Sequence, residues 1–196
     1  ALIAAMAEKK KIVPHFHLPV QSGSDEILWR MNRKYTSGEY LSIIEKLKKN
    51  VPDVSLTSDI IVGFPGETDA DFQATLDIIS AVRYDAIFSF IYSPRKGTPA
   101  ASMEGQVPKE ISSSRFEQLL ALQHDISRER NRRFVGRTVR ALCEEVSKTD
   151  PDKMTARAAS PRPIHFENNG VPIGEYCDLE IVSADTFSLY GKLKNK

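Results

Sequence analysis

The sequence predicts a mixed α/β unit followed by a small antiparallel β-barrel. In the first two thirds, three apolar runs alternate with amphipathic segments in the order strand, helix, strand, helix, strand. Short loops in this order favour a parallel sheet, whose right-handed crossovers bring the loops after all three strands to one end. After Gly136 the chain changes to short β-like runs separated by Asp-Pro, Ser-Pro and Asn-Asn-Gly turns. We therefore predict two domains, residues 1–133 and 134–196, the second a barrel of roughly 60 residues.

Each predicted helix of the first unit begins at a recognisable signal. Ser24, Thr36 and Thr68 each precede a polar or acidic turn that opens an amphipathic segment, which is typical of N-caps and capping boxes. Pro108 can take the first position of a long helix that reaches about residue 133. The packed stripe of that helix is predicted to consist of Phe116, Leu119, Leu120, Gln123 and Ile126.

The strands themselves are predicted from apolar runs. Residues 12–20, 54–62 and 86–92 give the three strands of the sheet. The barrel strands are predicted at residues 138–146, 154–158, 163–166, 176–182 and 188–192. Phe90 and Tyr92, at the end of the third run, are expected to pack in the interior and not to stack on a ligand.

The hydrophobic content, net charge and cysteine count of the chain exclude several classes of protein. Hydrophobic residues make up 41% of the 196 residues, enough for a core, and a net charge of +1 means that any nucleic-acid surface is a local patch. No run approaches the roughly 18 apolar residues of a membrane span. Two cysteines, Cys143 and Cys177, are too few for a disulfide scaffold, so we expect a reduced cytoplasmic setting. The start lacks an initiator Met and signal-peptide order, and we expect an excised fragment.

Polar residues follow the predicted strands, where ligand sites of parallel sheets lie. Gln21 and Ser22 suit a polar ligand such as a ribose, or form an ordinary turn with a helix cap. Asp59 lies inside an apolar strand, where a carboxylate needs a partner or solvent. Gly63 permits close approach of a ligand to the backbone, although a plain β–α turn uses the same residue. Arg95 can meet a carboxylate or phosphate, or can be solvated.

The densest charge cluster consists of arginines near the predicted domain boundary. Arginine at this density favours phosphates, with a solvated helix end as the alternative. The cluster is Arg128, Arg130, Arg132, Arg133, Arg137 and Arg140. His15 and His17 share a face of the first strand, but no third ligand is near in sequence and we do not expect a metal site. No Ser-His-Asp order, P-loop or His-Glu-x-x-His motif is present.

Four segments in a fixed order resemble the radical S-adenosylmethionine methylthiotransferases. They are HLPVQSGSD (17–25), RMNRKYT (30–36), DIIVGFPGET (59–68) and YSPRKGTPAA (92–101). The tail from Gly136 resembles that family's TRAM domain, an OB-like RNA-binding β-barrel, so the resemblance covers nearly the whole chain. It implies the C-terminal half of a radical S-adenosylmethionine partial (β/α)6 barrel followed by TRAM. HLPVQSGSD favours the tRNA-modifying branch over the branch that modifies a ribosomal protein.

The resemblance implies an enzyme that methylthiolates C2 of N6-isopentenyladenosine next to the anticodon. The family cleaves S-adenosylmethionine reductively to a 5′-deoxyadenosyl radical, abstracts hydrogen from C2 and inserts a methylated sulfur. Its [4Fe–4S] clusters need cysteine thiolates, and this chain has no such cysteine set, so we expect it to be inactive alone. The implied partner is the tRNA anticodon stem-loop, not DNA or a membrane. The edge of an incomplete barrel is expected to allow self-association.

The resemblance also assigns residues. Those near S-adenosylmethionine would be Gln21, Ser22, Arg33, Asp59, Val62 and Gly63. Gln21 and Ser22 fall near its ribose, Arg33 is a candidate for its carboxylate, and the segment 59–63 falls near its adenine. Asp59 replaces a glycine of the general pattern. The substrate-binding residues would be Arg95, Arg137, Arg140, Lys148 and Arg162.

Three alternative functions stay open. The sister branch that acts on threonylcarbamoyl-adenosine in tRNA has closely similar motifs. A non-catalytic RNA-binding module would use the barrel and keep the α/β unit only as a support. A small α/β ligand-binding domain without RNA would show no salt-dependent tRNA binding.

Overall fold

The computed structural model describes residues 2–9, 11–148 and 150–194. The α/β unit contains α1 (Leu2–Glu8), β1 (His15–His17), α2 (Asp25–Arg30), α3 (Ser37–Asn50), β2 (Ser55–Val62), α4 (Asp69–Val82), β3 (Ala86–Ile91), a 3₁₀ turn (Pro99–Ser102) and α5 (Lys109–Arg132). The barrel contains β4 (Thr138–Val146), β5 (Lys153–Arg157), β6 (Pro163–Glu167), β7 (Tyr176–Ala184) and β8 (Leu189–Leu193). No helix among the described residues has the length and apolar character needed to cross a membrane.

The three strands of the α/β unit form a parallel sheet in the order β1-β2-β3, which confirms the predicted parallel arrangement. The first strand is shorter than predicted and ends at His17. Pro19 has no N–H to donate, and the amide of Val20 donates to the Ser58 hydroxyl in place of a strand carbonyl. Pairing resumes only as a single bridge between Gln21 and Ile60.

The helices cover one face of the sheet. Along β2, Leu56, Ile60 and Val62 are buried and share the core with Leu47 and Ile79 of the helices. The alternation of side chains along a strand puts the intervening residues on the opposite face. Beyond Thr57 that opposite face is open among the described residues, and Phe88 and Phe90 are more than half exposed there, whereas Ser55 and Thr57 are buried. The expectation that Phe90 packs in the interior is therefore wrong.

The predicted helix starts are confirmed. The Ser24 hydroxyl accepts a hydrogen bond from the Ile27 amide at 3.3 Å. Thr36 and Thr68 each form a complete capping box, with Glu39 and Asp71 respectively. Pro108 is the N-cap of α5 and not its first helical residue, so the helix begins one residue later than predicted.

Helix α5 buries more polar groups than its predicted stripe contains. Leu119, Gln123 and Ile126 are buried as predicted, whereas Phe116 and Leu120 are only partly buried. The buried polar residues are Ser112, Arg115, Gln123, Ser127 and Asn131. Several bond to carbonyls at the start of β3: Gln123 Nε2 donates to Tyr84 O at 3.0 Å, and Ser127 Oγ donates to Asp85 O at 3.1 Å. Hydrogen bonds therefore help to hold this helix against the sheet.

The five remaining strands close into a barrel in the order β4-β5-β6-β8-β7. Each strand overlaps a predicted run, so the locations of the barrel strands are confirmed. The prediction of a wholly antiparallel barrel is wrong at one pair, because β6 and β8 run parallel. A closed ring with an odd number of strands cannot alternate direction throughout, so at least one pair has to be parallel. Closure leaves the barrel without an unpaired edge.

The last turn of α5 joins the two units. Asn131 is fully buried, and its side-chain amide donates to the carbonyls of Asp185 and Thr186 in the turn between β7 and β8. Its side-chain oxygen accepts a hydrogen bond from Arg162 Nε at 2.9 Å. One side chain thus connects the long helix to two separate loops of the barrel.

The carboxylate of Asp85 lies beside the same last turn of α5. It accepts two hydrogen bonds from Arg130, at 3.0 and 2.8 Å, and one from the Leu56 amide at 2.9 Å. Arg133 Nη2 donates a further hydrogen bond to Asp85 Oδ1 at 3.3 Å. Burial alone would raise the pKa of Asp85, but the hydrogen bonds from Arg130 and Leu56 outweigh it and hold the pKa below its usual range.

We predict that Asp85→Asn destabilises the protein by about 3–5 kcal/mol at pH 7, because it leaves the partly buried guanidinium groups of Arg130 and Arg133 without this buried counter-charge. A depressed carboxyl pKa stabilises the fold above the pKa of the unfolded chain, about 3.9, and that stabilisation is lost as the pH falls through the folded value. The difference between the proteins should therefore shrink below about pH 4. Urea unfolding at pH 7 and pH 3 measures it.

The control for this substitution is Asp77→Asn. Asp77 is exposed on α4 and accepts only from Gln73, so its loss should cost less than about 0.5 kcal/mol. Equal costs for the two variants at pH 7 would contradict the assignment of Asp85.

Candidate functional site

A groove opens beyond the carboxyl ends of β2 and β3. It consists of two adjoining cavities of about 520 Å³ each, which share the side chains of Ile61, Phe64, Thr98 and Ala100. One cavity extends along Phe90, Ile91, Tyr92, Ser93 and Arg95. The other extends along Arg30, Met31, Asn32, Arg33, Pro99 and Met103. This apolar floor with a few cationic groups at its margins is the usual composition of a small-molecule site.

The loop after β2 has a backbone that only glycine adopts readily. Gly63 and Gly66 have φ values of 75° and 87°, in the left-handed region. A Cβ at Gly63 would overlap Ser112 of α5, so the loop also packs too closely for a side chain. The Gly63 amide donates to Glu67 Oε1 at 3.0 Å and closes the loop on itself. Phe64 is thereby held at the floor of the groove.

The Glu67 carboxylate is in turn clamped by Arg115 of α5. Arg115 Nη1 donates to Glu67 Oε1 at 2.8 Å, and both side chains are almost completely buried. Arg115 Nη2 also contacts the exposed carboxylate of Asp69 at 2.6 Å. Burial raises the pKa of Glu67, while the Gly63 amide and Arg115 oppose that rise. No role was predicted for Arg115; the sign that could have revealed it is a polar residue at the four-residue spacing of a buried helix stripe.

A polar cluster lies on the uncovered face of the sheet, nearer the start of the strands. The rings of His15 and His17 each hydrogen-bond Thr57 Oγ1 at 3.0 Å. His17 Nε2 lies 3.5 Å from the carboxylate of Asp59, so this carboxylate inside an apolar strand has a polar partner. The His17 ring meets Phe88 edge to face at 5.9 Å. Burial lowers the pKa of His15, with Asp85 opposing.

The predicted cofactor residues fall into two sets. Arg33 lines the groove, whereas Gln21, Ser22 and Val62 are buried beside it. The Ser22 hydroxyl accepts from the Ser24 amide at 3.2 Å and lies 3.4 Å from Thr75 Oγ1, so it is already used within its turn. Val62 faces the helices, and its carbonyl accepts from the Tyr92 amide at 2.8 Å. Such residues shape the groove without presenting side chains to it.

Two groove residues were not predicted as ligand contacts. Phe64 and Tyr92 meet edge to face with ring centroids 5.1 Å apart. The Tyr92 hydroxyl is buried and has no hydrogen-bond partner among the described residues. A buried hydroxyl of this kind is unfavourable unless a ligand or water pairs with it. Two sequence features could have indicated these residues as ligand contacts. Tyr92 is an aromatic residue directly after a strand, and Phe64 belongs to a Phe-Pro step between two glycines.

Arg95, in the loop after β3, lines the groove. The other predicted substrate residues lie on or near the barrel. Arg140 is exposed, and its guanidinium stacks 4.9 Å from the ring centre of Tyr176, itself 60% exposed. Arg137 is exposed near the start of β4, and Lys148 Nζ lies 3.6 Å from the exposed Glu145.

Arg162 departs from the prediction that it faces RNA. It is only 6% exposed, and its Nε donates to Asn131 at the junction of the two units. The sequence could not reveal this, because the partner is 31 residues away and the intervening chain forms two strands. The side chain is a connector within the fold and is removed from the predicted substrate-binding set.

Neither cysteine approaches the groove. Cys143 is buried in the barrel core and Cys177 packs against it, and burial raises the pKa of both thiols. Within residues 2–9, 11–148 and 150–194, no group of three or more histidine, cysteine or acidic side chains is arranged to hold a metal ion.

Comparison with known proteins finds similarity to one superfamily and to one group of curated enzymes. Residues 1–79 match the model of the Radical SAM superfamily. The chain is 47% identical over 192 residues to the tRNA-2-methylthio-N(6)-dimethylallyladenosine synthases of Acetivibrio thermocellus and Alkaliphilus oremlandii. It is 44% identical over 191 residues to the protein of that name from Clostridium botulinum strain Langeland. These alignments cover 97–98% of this chain and 40–42% of the relatives.

Over residues 1–79 the chain is similar to the Radical SAM superfamily. Beyond the matched residues 1–79, its similarity to the tRNA-2-methylthio-N(6)-dimethylallyladenosine synthases extends through the barrel. The chain spans about two fifths of the length of these curated relatives.

We predict that Glu67→Gln destabilises the protein by about 3 kcal/mol, because it removes the only buried counter-charge that the described residues offer Arg115 and weakens the closure of the loop. The matched control is Asp69→Asn, which removes a carboxylate from the same guanidinium at an exposed position and should cost less than about 1 kcal/mol. Chemical denaturation at pH 7 measures both. A larger effect at Asp69 would show that the buried pair is not what holds the loop.

Proposed function

We propose that this chain is part of an enzyme that methylthiolates C2 of N6-isopentenyladenosine beside the anticodon of tRNA. The observation that carries the proposal is the groove, whose apolar floor lies between two arginines at the carboxyl edge of a parallel sheet. The similarity to synthases named for tRNA and 2-methylthio-N(6)-dimethylallyladenosine supports it and extends through the barrel. A cytoplasmic location is part of the same proposal.

We infer that the sheet is the C-terminal half of a partial (β/α)6 barrel. Its uncovered face supports this, because the polar and aromatic side chains there would face the lumen once further strands curve around them. The closed five-stranded barrel would be the TRAM domain, with the boundary between residues 133 and 134, just after the end of α5. Where this face stays uncovered, Phe88 and Phe90 favour self-association of the chain.

The groove fits S-adenosylmethionine. Ile61, Phe64 and Tyr92 offer an apolar slot for an adenine, and the unpartnered Tyr92 hydroxyl can bond a polar atom of the ligand. Arg33 offers a guanidinium to the ligand's carboxylate. When bound, S-adenosylmethionine would supply a methyl group and the chemistry that abstracts a hydrogen atom from a carbon–hydrogen bond.

An iron–sulfur cluster does not fit the residues of this chain. Cluster ligands are cysteine thiolates, and the only two cysteines of this sequence are Cys143 and Cys177 in the distant barrel. We therefore propose that this chain does not hold a cluster and is inactive by itself.

The chain's own contribution would be to bind and orient. The Gly63–Glu67 loop, held by Arg115, would present its backbone to the adenine and keep water from that edge. Arg33 would fix the amino-acid end of the cofactor on one side of the groove. Arg95, on the other side, would meet a phosphate of the RNA substrate and bring the nucleoside over the slot.

The barrel would supply a second RNA contact. Arg140 stacked on Tyr176 is an exposed pair of a cation and an aromatic ring, which suits both a phosphate and an unstacked base. Arg137 and Lys148 add positive charge on the same unit. The pairing of Lys148 with Glu145 would be exchanged for a phosphate on binding.

The product assay uses the complete gene product, reconstituted anaerobically with iron and sulfide. It is incubated with S-adenosylmethionine, a reductant and anticodon stem-loops that carry either isopentenyl- or threonylcarbamoyl-adenosine. We expect a methylthio gain in nucleoside mass on the isopentenyl substrate alone. A gain only on the other substrate would favour the sister branch, and no gain on either with intact clusters would reject the tRNA-enzyme proposal.

The same assay tests the groove. Arg33→Gln should raise the KM for S-adenosylmethionine by about tenfold through loss of a charge-assisted hydrogen bond. Lys34→Gln is the matched control, because this neighbouring cation is exposed and is not part of the cavity lining. An equal rise of the KM in both variants would reject a direct bond from Arg33 to the cofactor, because loss of any nearby positive charge would then have the same effect.

We predict that Arg140→Gln weakens tRNA binding uniformly across sequences and lowers the slope of log K against log salt by about 0.7–0.9, the effect of losing one phosphate contact. Arg157→Gln is the control, since Arg157 is already paired with Glu144 on the barrel. Filter binding at several salt concentrations measures both. An unchanged slope in Arg140→Gln would remove this residue from the RNA face.

A further inference from the structure

A second, smaller cavity lies at the amino ends of the strands, where the α/β unit meets the barrel. Its volume is about 130 Å³, and its polar lining comes from Asp53, Ser55, Arg133, Arg137 and Ser160. Ser55 begins β2 and Val62 ends it, so about 23 Å of strand separates this cavity from the groove. A water molecule occupies about 30 Å³ in the liquid, so the cavity has room for one tetrahedral oxyanion.

The Ser55 hydroxyl is the first sign of a ligand. Ser55 is 3% exposed, and its Oγ has no hydrogen-bond partner among the described residues. Thr57, two residues further along the same strand, by contrast has a hydroxyl that forms hydrogen bonds with two histidines. A buried hydroxyl left without a partner is unfavourable, and this one belongs to the lining of a cavity that can hold one.

The charge around the cavity is the second sign. Arg130, Arg133 and Arg162 all lie within the influence of one buried carboxylate, that of Asp85, whose oxygens accept from Arg130, Arg133 and the Leu56 amide. Arg162 Nη2 is buried and unpartnered. Arg137 forms no ion pair among the described residues. The positive charge at this junction therefore exceeds what its carboxylates balance.

Burial and the neighbouring Arg130 lower the pKa of Arg133, against the influence of Asp85 and Asp53. Asp53 is the one carboxylate that lines the cavity, and it is exposed at the rim, where solvent screens it.

We propose that this cavity binds a phosphate group, with the Ser55 hydroxyl as a hydrogen-bond donor and Arg133 and Arg137 as its counter-charges. Ser55 is held by the strand, and Arg133 by Asp85, so two of the three groups are positioned before the ligand arrives. The phosphate is either a free ion or one of an RNA backbone. The RNA source rests on the proposed function, whereas the site itself does not.

Phosphate titration of the protein by calorimetry, with chloride adjusted to hold ionic strength constant, tests the site. We expect saturable binding that Ser55→Ala and Arg137→Gln each weaken by about tenfold. Asp53→Asn should tighten binding, since it removes the only carboxylate facing the ligand. Arg132→Gln, an exposed arginine of α5 outside the cavity, is the matched control and should bind as the unchanged protein does.

Binding that does not saturate, or that changes equally in Arg137→Gln and Arg132→Gln, would overturn the proposal. So would weaker binding in Asp53→Asn. Urea unfolding without phosphate shows whether Ser55→Ala is still folded; because its hydroxyl has no partner in the fold, we expect an unchanged midpoint.

A second arm separates the two sources. If the phosphate belongs to RNA, inorganic phosphate at constant ionic strength displaces an anticodon stem-loop, and Arg137→Gln lowers the salt slope of RNA binding by about 0.7–0.9. If the site takes a free ion, phosphate binds with the same affinity in the presence of RNA and the slope is unchanged. Loss of RNA binding in the unchanged protein would count against the proposed function alone, because the titration without RNA stands by itself.

Discussion

The buried carboxylate of Asp85 is the constraint on which the relative placement of the two units depends. It takes a hydrogen bond from the start of β2 and two from Arg130, so it fixes the last turns of α5 against the sheet. From that fixed turn, Asn131 reaches the barrel. A buried ion pair adds little net stability but tolerates no loss of one partner, which gives it the character of a positioning device.

The other end of α5 uses the same chemistry for a different purpose. Arg115 holds Glu67, which holds the Gly63 amide, and the floor of the groove follows from this chain of contacts. One helix thus sets the shape of the groove at its start and the position of the barrel at its end. In the proposed enzyme this would keep the cofactor slot and the RNA-binding barrel in a defined geometry, so that a bound stem-loop presents its base to the slot.

The sites of the chain occupy separate surfaces with different physical character. The groove is apolar with cationic margins and suits a nucleoside-like cofactor. The barrel presents Arg140 on Tyr176, and the junction holds arginines in surplus over carboxylates. Since the whole chain has a net charge of only +1, this local concentration of arginine gives it a directed attraction for phosphates without general basicity.

The sequence by itself determined what depends on neighbours along the chain. The capping boxes at Thr36 and Thr68, the strand locations and the parallel sheet were predictable, because caps, periodicity and turns are local. Arg95 could be expected at this end of the sheet from its place after a strand, whereas Arg33 was assigned only from the resemblance of RMNRKYT to a family motif. Only the tertiary structure decided that Arg162 is buried, that β6 and β8 run parallel, and that Arg115 clamps Glu67 across 48 residues. These features arise from packing and closure between distant segments, which no local pattern encodes.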